Sequence, residues 1–368
     1  MNSSANLPDN QSSGSGPPSA VHPALSRRTL VGGAVVAGAL LSARLGPPVA
    51  ASEGDLSHRQ GAGATAPRGR GSVSGAPHLP AGFERTFTSR YIDAGDVRLH
   101  AVTGGDGPPL LLVHGWPQTW YAWRLVMPAL AQHHHVIAVD QRGIGLSDKP
   151  HDGYDSTTLV GDMVALMDAL GHQRFSVYGT DVGMPIAYAV AADHRDRVDR
   201  LAVSEAFLPG LGDGPLLLQR IPIVNARLWH LAFNQLPAEV NEALVKGRED
   251  VFFGAEFDAA AGTNKLPDEV VRYYVRMLRS DRNALRGSFG FYRAWWSTAD
   301  QNMDRFPDKL TVPVLAMGGE QSSRDTVGTI MMAVANDVQT LVIPDSGHWV
   351  AEEAPDQIVA ALTAFLAG

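Results

Sequence analysis

The chain has 368 residues, 45% apolar and 18% charged, with 30 basic against 38 acidic side chains and a formal charge of −8. That much apolar sequence supports a substantial core and argues against global disorder, while the acidic balance gives no electrostatic reason to bind nucleic acid. No cysteine is present, which excludes disulfides, thiolate catalysis and cysteine-based metal sites.

Residues 1–25 are rich in Ser, Pro, Asn and Gly, and are followed by Ser26-Arg27-Arg28-Thr29-Leu30-Val31. Gly- and Ala-rich apolar sequence then runs to Leu41, with Val49-Ala50-Ala51 beyond it. Paired arginines, a weakly hydrophobic stretch and a small-residue cleavage site together predict a twin-arginine export signal over 1–51, cleaved after Ala51. The unbroken apolar run, Leu30 to Leu41, is shorter than the roughly 20 residues a bilayer requires, so no stable membrane anchor is expected. Residues 52–80, heavy in Gly, Ala, Pro and Arg, are expected to form a disordered tether.

From residue 81 onward short β-like runs alternate with helical ones. Strands are expected at Glu84–Ser89, Val97–Val102, Leu110–Val113, Val136–Val139, Phe175–Tyr178, Leu201–Ser204, Val314–Met317 and Gln339–Ile343. Helices are expected at Trp120–Ala131, Ser156–Leu170, Met184–Ala192 and Asp356–Leu366. Apolar strands separated by helices imply an α/β fold, its mostly parallel eight-stranded sheet covered by helices on both faces. The alternation stops after the sixth strand. Amphipathic helical segments follow instead, at Leu236–Gly247, Pro267–Arg279 and Asn283–Ser297. The expected organisation is a core over 81–207, a helical lid over 208–299, and the rest of the core over 300–368.

Chemistry gathers where strands end. His114-Gly115-Trp116-Pro117 directly follows the third strand, and Asp140-Gln141-Arg142-Gly143 opens a Gly-rich loop after the fourth, which reads as a buttress held by local hydrogen bonds and an ion pair. Tyr178-Gly179-Thr180-Asp181-Val182-Gly183 joins the fifth strand to a helix through a turn too tight for bulky neighbours, so its two glycines flank a displayed Asp181. A displayed carboxylate attacks carbon bearing a leaving group and forms an alkyl ester, which a second step must hydrolyse. That predicts epoxide opening or halide displacement rather than ordinary esterase chemistry. His114-Gly115-Trp116-Pro117 also serves as an ordinary turn, but its place after the third strand resembles that at which an α/β-hydrolase supplies an oxyanion-hole N–H, which by position implies the N–H groups of Trp116 and Val182 for the second step.

Hydrolysis needs a base. Of thirteen histidines His348, in Ser346-Gly347-His348-Trp349 just beyond the last strand, has the best context. His133-His134-His135 precedes a buried strand, lacks a supporting carboxylate pattern, and marks no metal site. A base also needs an orienting acid. Glu205 after the sixth strand and Glu320 after the seventh compete for that role, and spacing does not separate them. Asp345 reads as a residue that shapes the His348 turn.

Together these motifs resemble the epoxide hydrolase branch of the α/β-hydrolase fold over residues 83–368, and the secreted bacterial Cif-like group within it. The resemblance implies Glu205, in Glu205-Ala206, as relay acid. It also implies His230, in Trp229-His230-Leu231, and Tyr292, in Phe291-Tyr292-Arg293, as a lid pair that activates the epoxide oxygen. Read alone, those two side chains are amphipathic core residues. The chain departs from the pattern at Thr180, where epoxide hydrolases usually carry His, and at Phe207, often proline.

The expected reaction converts an epoxide and water to a vicinal diol with no cofactor and no metal, and a homodimer is left open. Haloalkane or haloacid dehalogenase is the rival. Val182 stands where the former usually has a halide-binding tryptophan, however, and Val182-Gly183-Met184-Pro185 lacks the arginines with which fluoroacetate dehalogenases hold a carboxylate. A non-catalytic binder would be expected to lack one element of this set, and a serine hydrolase would need Gly-x-Ser-x-Gly at the elbow.

Overall fold

A computed structural model describes residues 66–212 and 220–368; the expected export signal and residues 52–65 of the expected tether lie outside the described residues. One sheet holds β1 (Phe87–Ala94), β2 (Val97–Gly104), β3 (Pro109–Val113), β4 (His135–Asp140), β5 (Phe175–Thr180), β6 (Val198–Ser204), β7 (Val314–Gly319) and β8 (Val338–Ile343). Their spatial order is β1-β2-β4-β3-β5-β6-β7-β8. β2 runs antiparallel to β1 and β4, and the other pairings are parallel.

Alternate residues of β3 feed two cores. Leu111 and Val113 join the cluster that holds Met163, Ile186 and Val190, whereas Leu110 and Leu112 join Trp120, Trp123 and Leu362 on the other face. A strand covered on both faces has no solvent side, which is why this segment is apolar throughout. β1, at the sheet edge, alternates buried and exposed residues instead.

In chain order the helices are α1 (Phe83–Thr86), α2 (Met127–Leu130), α3 (Ser156–Ala169), α4 (Gly183–Asp193), α5 (Pro222–Phe233), α6 (Ala238–Val245), α7 (Glu249–Ala260), α8 (Asp268–Arg279), α9 (Ala284–Arg293), α10 (Trp295–Arg305), α11 (Thr326–Val334), α12 (Val350–Glu353) and α13 (Pro355–Ala367). The helices α5 to α10 lie between β6 and β7. The Asp140 loop is the buttress the motif implied. Asp140 takes the N–H groups of Trp120 and Leu146 and the ring of His100, and Arg142 forms two 2.7 Å bonds to the buried Asp162.

Several expectations need correction. The tether does not reach residue 80, because residues 66–80 pack on the core. Ser72 and Val73 are buried, the Trp120 indole donates to the Gly71 carbonyl at 2.8 Å, and the Tyr121 hydroxyl donates to the Pro77 carbonyl at 2.7 Å. A Gly/Pro-rich composition hid this, since the segment binds largely through its backbone carbonyls with only Val73, Ala76 and Leu79 packing on the core. The lid boundary expected at 299 falls inside α10. The first strand starts at Phe87 rather than Glu84, after the single turn α1. The helix expected over Trp120–Ala131 is two short pieces, a 3-10 turn at Trp120–Trp123 and α2, with Pro128, which has no N–H to give, at the start of the second. The helix expected over Asn283–Ser297 divides at Ala294. α5 and α7 lie in stretches where no helix was expected.

Candidate active site

The turn after β5 holds Asp181 at a φ of 50°, a left-handed conformation uncommon for any residue with a Cβ. The surrounding backbone enforces it. Asp181 donates its N–H to the Ser204 carbonyl at 3.0 Å, and its own carbonyl accepts from Met184 at 2.8 Å in the first turn of α4. A Cβ on Gly179 would stand 2.2 Å from the Gly183 carbonyl oxygen, and one on Gly183 2.2 Å from that of Val113, so only glycine fits either flank.

The two Asp181 oxygens have different surroundings. Oδ1 accepts the Trp116 backbone N–H at 2.7 Å, and Oδ2 stands 3.4 Å from His348 Nε2. On its other side, His348 Nδ1 lies 3.0 Å from Glu205 Oε2. Glu205 is buried directly after β6 at a φ of 61°. Gly319 donates its N–H to Glu205 Oε1 at 2.6 Å and the Ser323 hydroxyl donates to Oε2 at 3.0 Å, so the carboxylate is fixed from both ends. Burial pulls the His348 pKa down, but its bonds to Asp181 and Glu205 prevail and raise it to about 10.

Glu320 is not brought to this site. It sits on an exposed turn where its Oε2 accepts the Asp345 N–H at 3.1 Å. Thr180 hydrogen-bonds to Ser204 at 2.8 Å beneath the sheet end. Val182 follows Asp181 and lines the cavity, which Ala206 and Phe207 also line.

That cavity, about 320 Å³, is roofed by the helical insertion. α5 contributes His230 and α9 contributes Tyr292, both lining it together with Asp181 and His348. The His230 ring stacks on Trp116 at 5.0 Å and meets Tyr292 edge-on at 5.6 Å. The Tyr292 hydroxyl is buried without a hydrogen-bond partner. Burial raises its pKa well above the ordinary value and the charges of Asp181 and Glu256 push the same way; Asn234 is near enough to oppose this but is not in bonding geometry. The phenol thus keeps its proton and has a donor to offer.

Three residues escaped sequence reasoning. Ser323 holds Glu205, as described. Glu353 takes the N–H groups of Gly262, Gly347 and Trp349 at 2.8–2.9 Å, which ties the end of α7 to the His348 turn. Glu256 lies on the buried face of α7 with Phe252, Phe253 and Phe257, its Oε2 3.0 Å from His230 Nδ1. An acid repeating at the spacing of an apolar helix face was the signal available for Glu256.

A family described as the alpha/beta hydrolase fold matches residues 108–355, and the chain belongs to it. The soluble epoxide hydrolase of Corynebacterium sp. (strain C12) is 35% identical over 281 residues, which cover 73% of this chain and 94% of that protein. A fluoroacetate dehalogenase from Burkholderia sp. is 32% identical over 297 residues, 77% of this chain and 94% of the relative. Among solved structures, wild-type Cfl2 from Burkholderia cenocepacia has a TM-score of 0.72 at 34% identity, covering 79% of this chain and 97% of that one. The likeness to epoxide hydrolases read from the motifs therefore extends across the folded chain.

Proposed function

We propose that the protein is an epoxide hydrolase, a hydrolase acting on ether bonds that makes vicinal diols through an ester on Asp181. The observation that carries this reading is the asymmetry of that carboxylate, with Oδ1 bonded to a backbone N–H and Oδ2 toward the cavity beside a His–Glu pair. Oδ2 attacks an epoxide carbon while Tyr292 and His230 stabilise the charge that develops on oxygen. Esterification removes the Asp181 charge, and with it part of what holds the proton on His348. The freed imidazole, oriented by Glu205, then takes a proton from water, which attacks the ester carbon. Trp116 N–H, and by position Val182 N–H, stabilise the charge on Oδ1 until the diol leaves.

Halide displacement is the second reading, favoured by the dehalogenase relative. Two features weigh against it. The indole N–H groups of Trp116 and Trp349 are committed to Ser288 and to the Phe257 carbonyl, so neither is free to hold halide. Arg227, at the cavity wall, directs its three guanidinium nitrogens to the carbonyls of Ala259, Gln321 and Ala261 rather than to a substrate carboxylate. Export by the twin-arginine route is part of the proposal, supported by Arg27-Arg28 and the apolar stretch beyond it. Replacing both arginines with lysine should retain the protein in the cytoplasm.

The deciding experiment offers a panel of aliphatic and aryl epoxides, with fluoroacetate alongside, to the His348→Gln variant. The expected result is an adduct of epoxide mass on Asp181 and, in the parent enzyme run in heavy-oxygen water, label in the Asp181 carboxylate after repeated turnovers. Label passing only to product, with Asp181 untouched, would refute the covalent step. Fluoride release without diol formation would favour the second reading.

A further inference from the structure

Glu352 has no task in the steps above, yet its side chain is 2% exposed and its carboxylate takes donors from three separate segments. Arg124, at the end of the 3-10 turn, bonds Oε1. Gln118 Nε2, shortly after β3, donates to Oε2 at 2.6 Å, and the Tyr274 hydroxyl of α8 donates to the same oxygen at 3.0 Å. A buried ion pair adds little net stability, because desolvation offsets its attraction. What it does supply is direction, since each donor must point at it.

Direction matters most at Gln118. Its backbone N–H donates to the Gly115 carbonyl at 3.0 Å, which closes a turn over residues 115–118. Within that turn lies Trp116, whose N–H meets Asp181 Oδ1 at 2.7 Å. The Trp116 indole is tied to Ser288 at 2.6 Å, and the far end of the turn is tied to Glu352 through the Gln118 amide. Asp181 has backbone bonds of its own, to Ser204 and Met184, so its place does not depend on this turn. Glu353, the next residue on α12, gathers the N–H groups around His348 instead. Two consecutive acids thus hold the turn that carries His348 and the turn that carries the Trp116 N–H.

We propose that Glu352 and Gln118 are positioning residues that, through the 115–118 turn, aim the Trp116 N–H at Asp181 Oδ1 for hydrolysis of the ester. This rests on the epoxide reading above and adds what holds the donor in place. In the first half-reaction Asp181 gives up its charge to the new bond, so an N–H on Oδ1 favours the starting carboxylate and does not lower the barrier. In the second, water adds to the ester carbon, its proton passes to His348, and the C=O electron pair moves onto Oδ1 as negative charge. A donor aimed at Oδ1 counts there. The pair returns as the bond to the diol breaks, and the departing oxygen takes the proton back from His348. Asp181 is left as a carboxylic acid, whose proton replaces the one given to the epoxide oxygen.

NMR of protein labelled with nitrogen-15 tryptophan reads the geometry first, in the resting state. The Trp116 amide, identified by its loss in Trp116→Phe, should lie downfield because of its bond to Asp181. Gln118→Met removes the link but keeps the Arg124–Glu352 pair, and there the amide should move upfield and exchange faster with solvent. An amide unmoved in that variant overturns the proposal, whatever the substrate. Kinetics reads the consequence. Complete loss of an oxyanion-hole donor costs about 10²–10³-fold, so a misaimed one in Gln118→Met should slow ester hydrolysis by about 10-fold, with alkylation in single turnover near the parent rate. Tyr274→Phe removes a bond to the same Glu352 oxygen without touching the turn, and should leave the amide signal and the hydrolysis rate near those of the parent. Equal effects of the two variants, or equal slowing of both half-reactions in Gln118→Met, would mark a cluster that only stabilises the fold and sink the idea. A parent enzyme that opens no epoxide would instead defeat the underlying reading, on which the amide signal does not depend.

Discussion

Gly115 leaves room for Asp181 and little else: a Cβ there would stand 2.5 Å from the Asp181 Cβ and 3.0 Å from Oδ1. Gly115→Ala should therefore displace the Asp181 carboxylate, and since a misplacement near 1 Å can cost about 10²-fold, the proposed alkylation measured in single turnover should fall by about that factor. Glu205 and Glu320 make a sharper pair. Glu205 is buried and bonded to His348, Gly319 and Ser323, whereas Glu320 bonds an exposed amide, so Glu205→Gln should slow ester hydrolysis and Glu320→Gln should leave it near the parent rate. The reverse order, read from ester accumulation, would remove Glu205 from the relay. His348 also links the site to stability. Its folded pKa of about 10 lies above the ordinary 6.5, so its protonation favours the folded state in full below pH 6.5, and the contribution is lost as pH rises through about 10. The melting temperature of the parent protein, compared with that of His348→Gln, should lose its advantage across that window.

At the scale of elements, the site is where strand ends meet helix ends. β3, β5 and β6 place Trp116, Asp181 and Glu205 side by side because they are neighbours in the sheet, although they lie far apart in sequence. The His348 turn comes after β8, an edge strand with a partner on one side only. Glu353 supplies what the sheet does not, with three backbone N–H groups converging on one carboxylate. Burial raises the Glu353 pKa and the three N–H bonds act against that rise. Glu353→Gln replaces one acceptor oxygen with a donor and strands at least one buried amide, a loss of about 1–3 kcal/mol. Urea denaturation should register that loss. On the proposed mechanism ester hydrolysis should slow while Asp181 alkylation is preserved, because the disturbed turn carries His348 and not Asp181.

Across the whole molecule, the segment before the first strand is part of the folded unit. Residues 66–80 cover the aromatic cluster of Trp120 and Tyr121 and satisfy their N–H and O–H groups through the carbonyls of Gly71 and Pro77. A chain beginning at residue 66 keeps this segment. One beginning at Phe83 would leave both donors without these partners at about 1–3 kcal/mol each and expose Trp120, so its melting temperature should drop by several degrees, readable by calorimetry. Equal melting of the two truncations would show that the segment contributes nothing.

Much of this was legible before any coordinates. The apolar β3 run, the glycines around Asp181 and the Gly347-His348 turn are local patterns, and local sterics and burial dictate them residue by residue. Near-neighbour rules therefore sufficed for the sheet and its strand sequence, and for the tight turns on which Asp181 and His348 sit. Long-range proximity was a different matter. Whether Glu205 or Glu320 reaches His348 depends on which side chain turns inward at a strand end, and spacing carries no such vector. The apolar face of α7 could mark Glu256 as buried, but neither its place beside His230 nor that of Gly71 beneath Trp120 is written in the local sequence, and only the packed chain brings these pairs together.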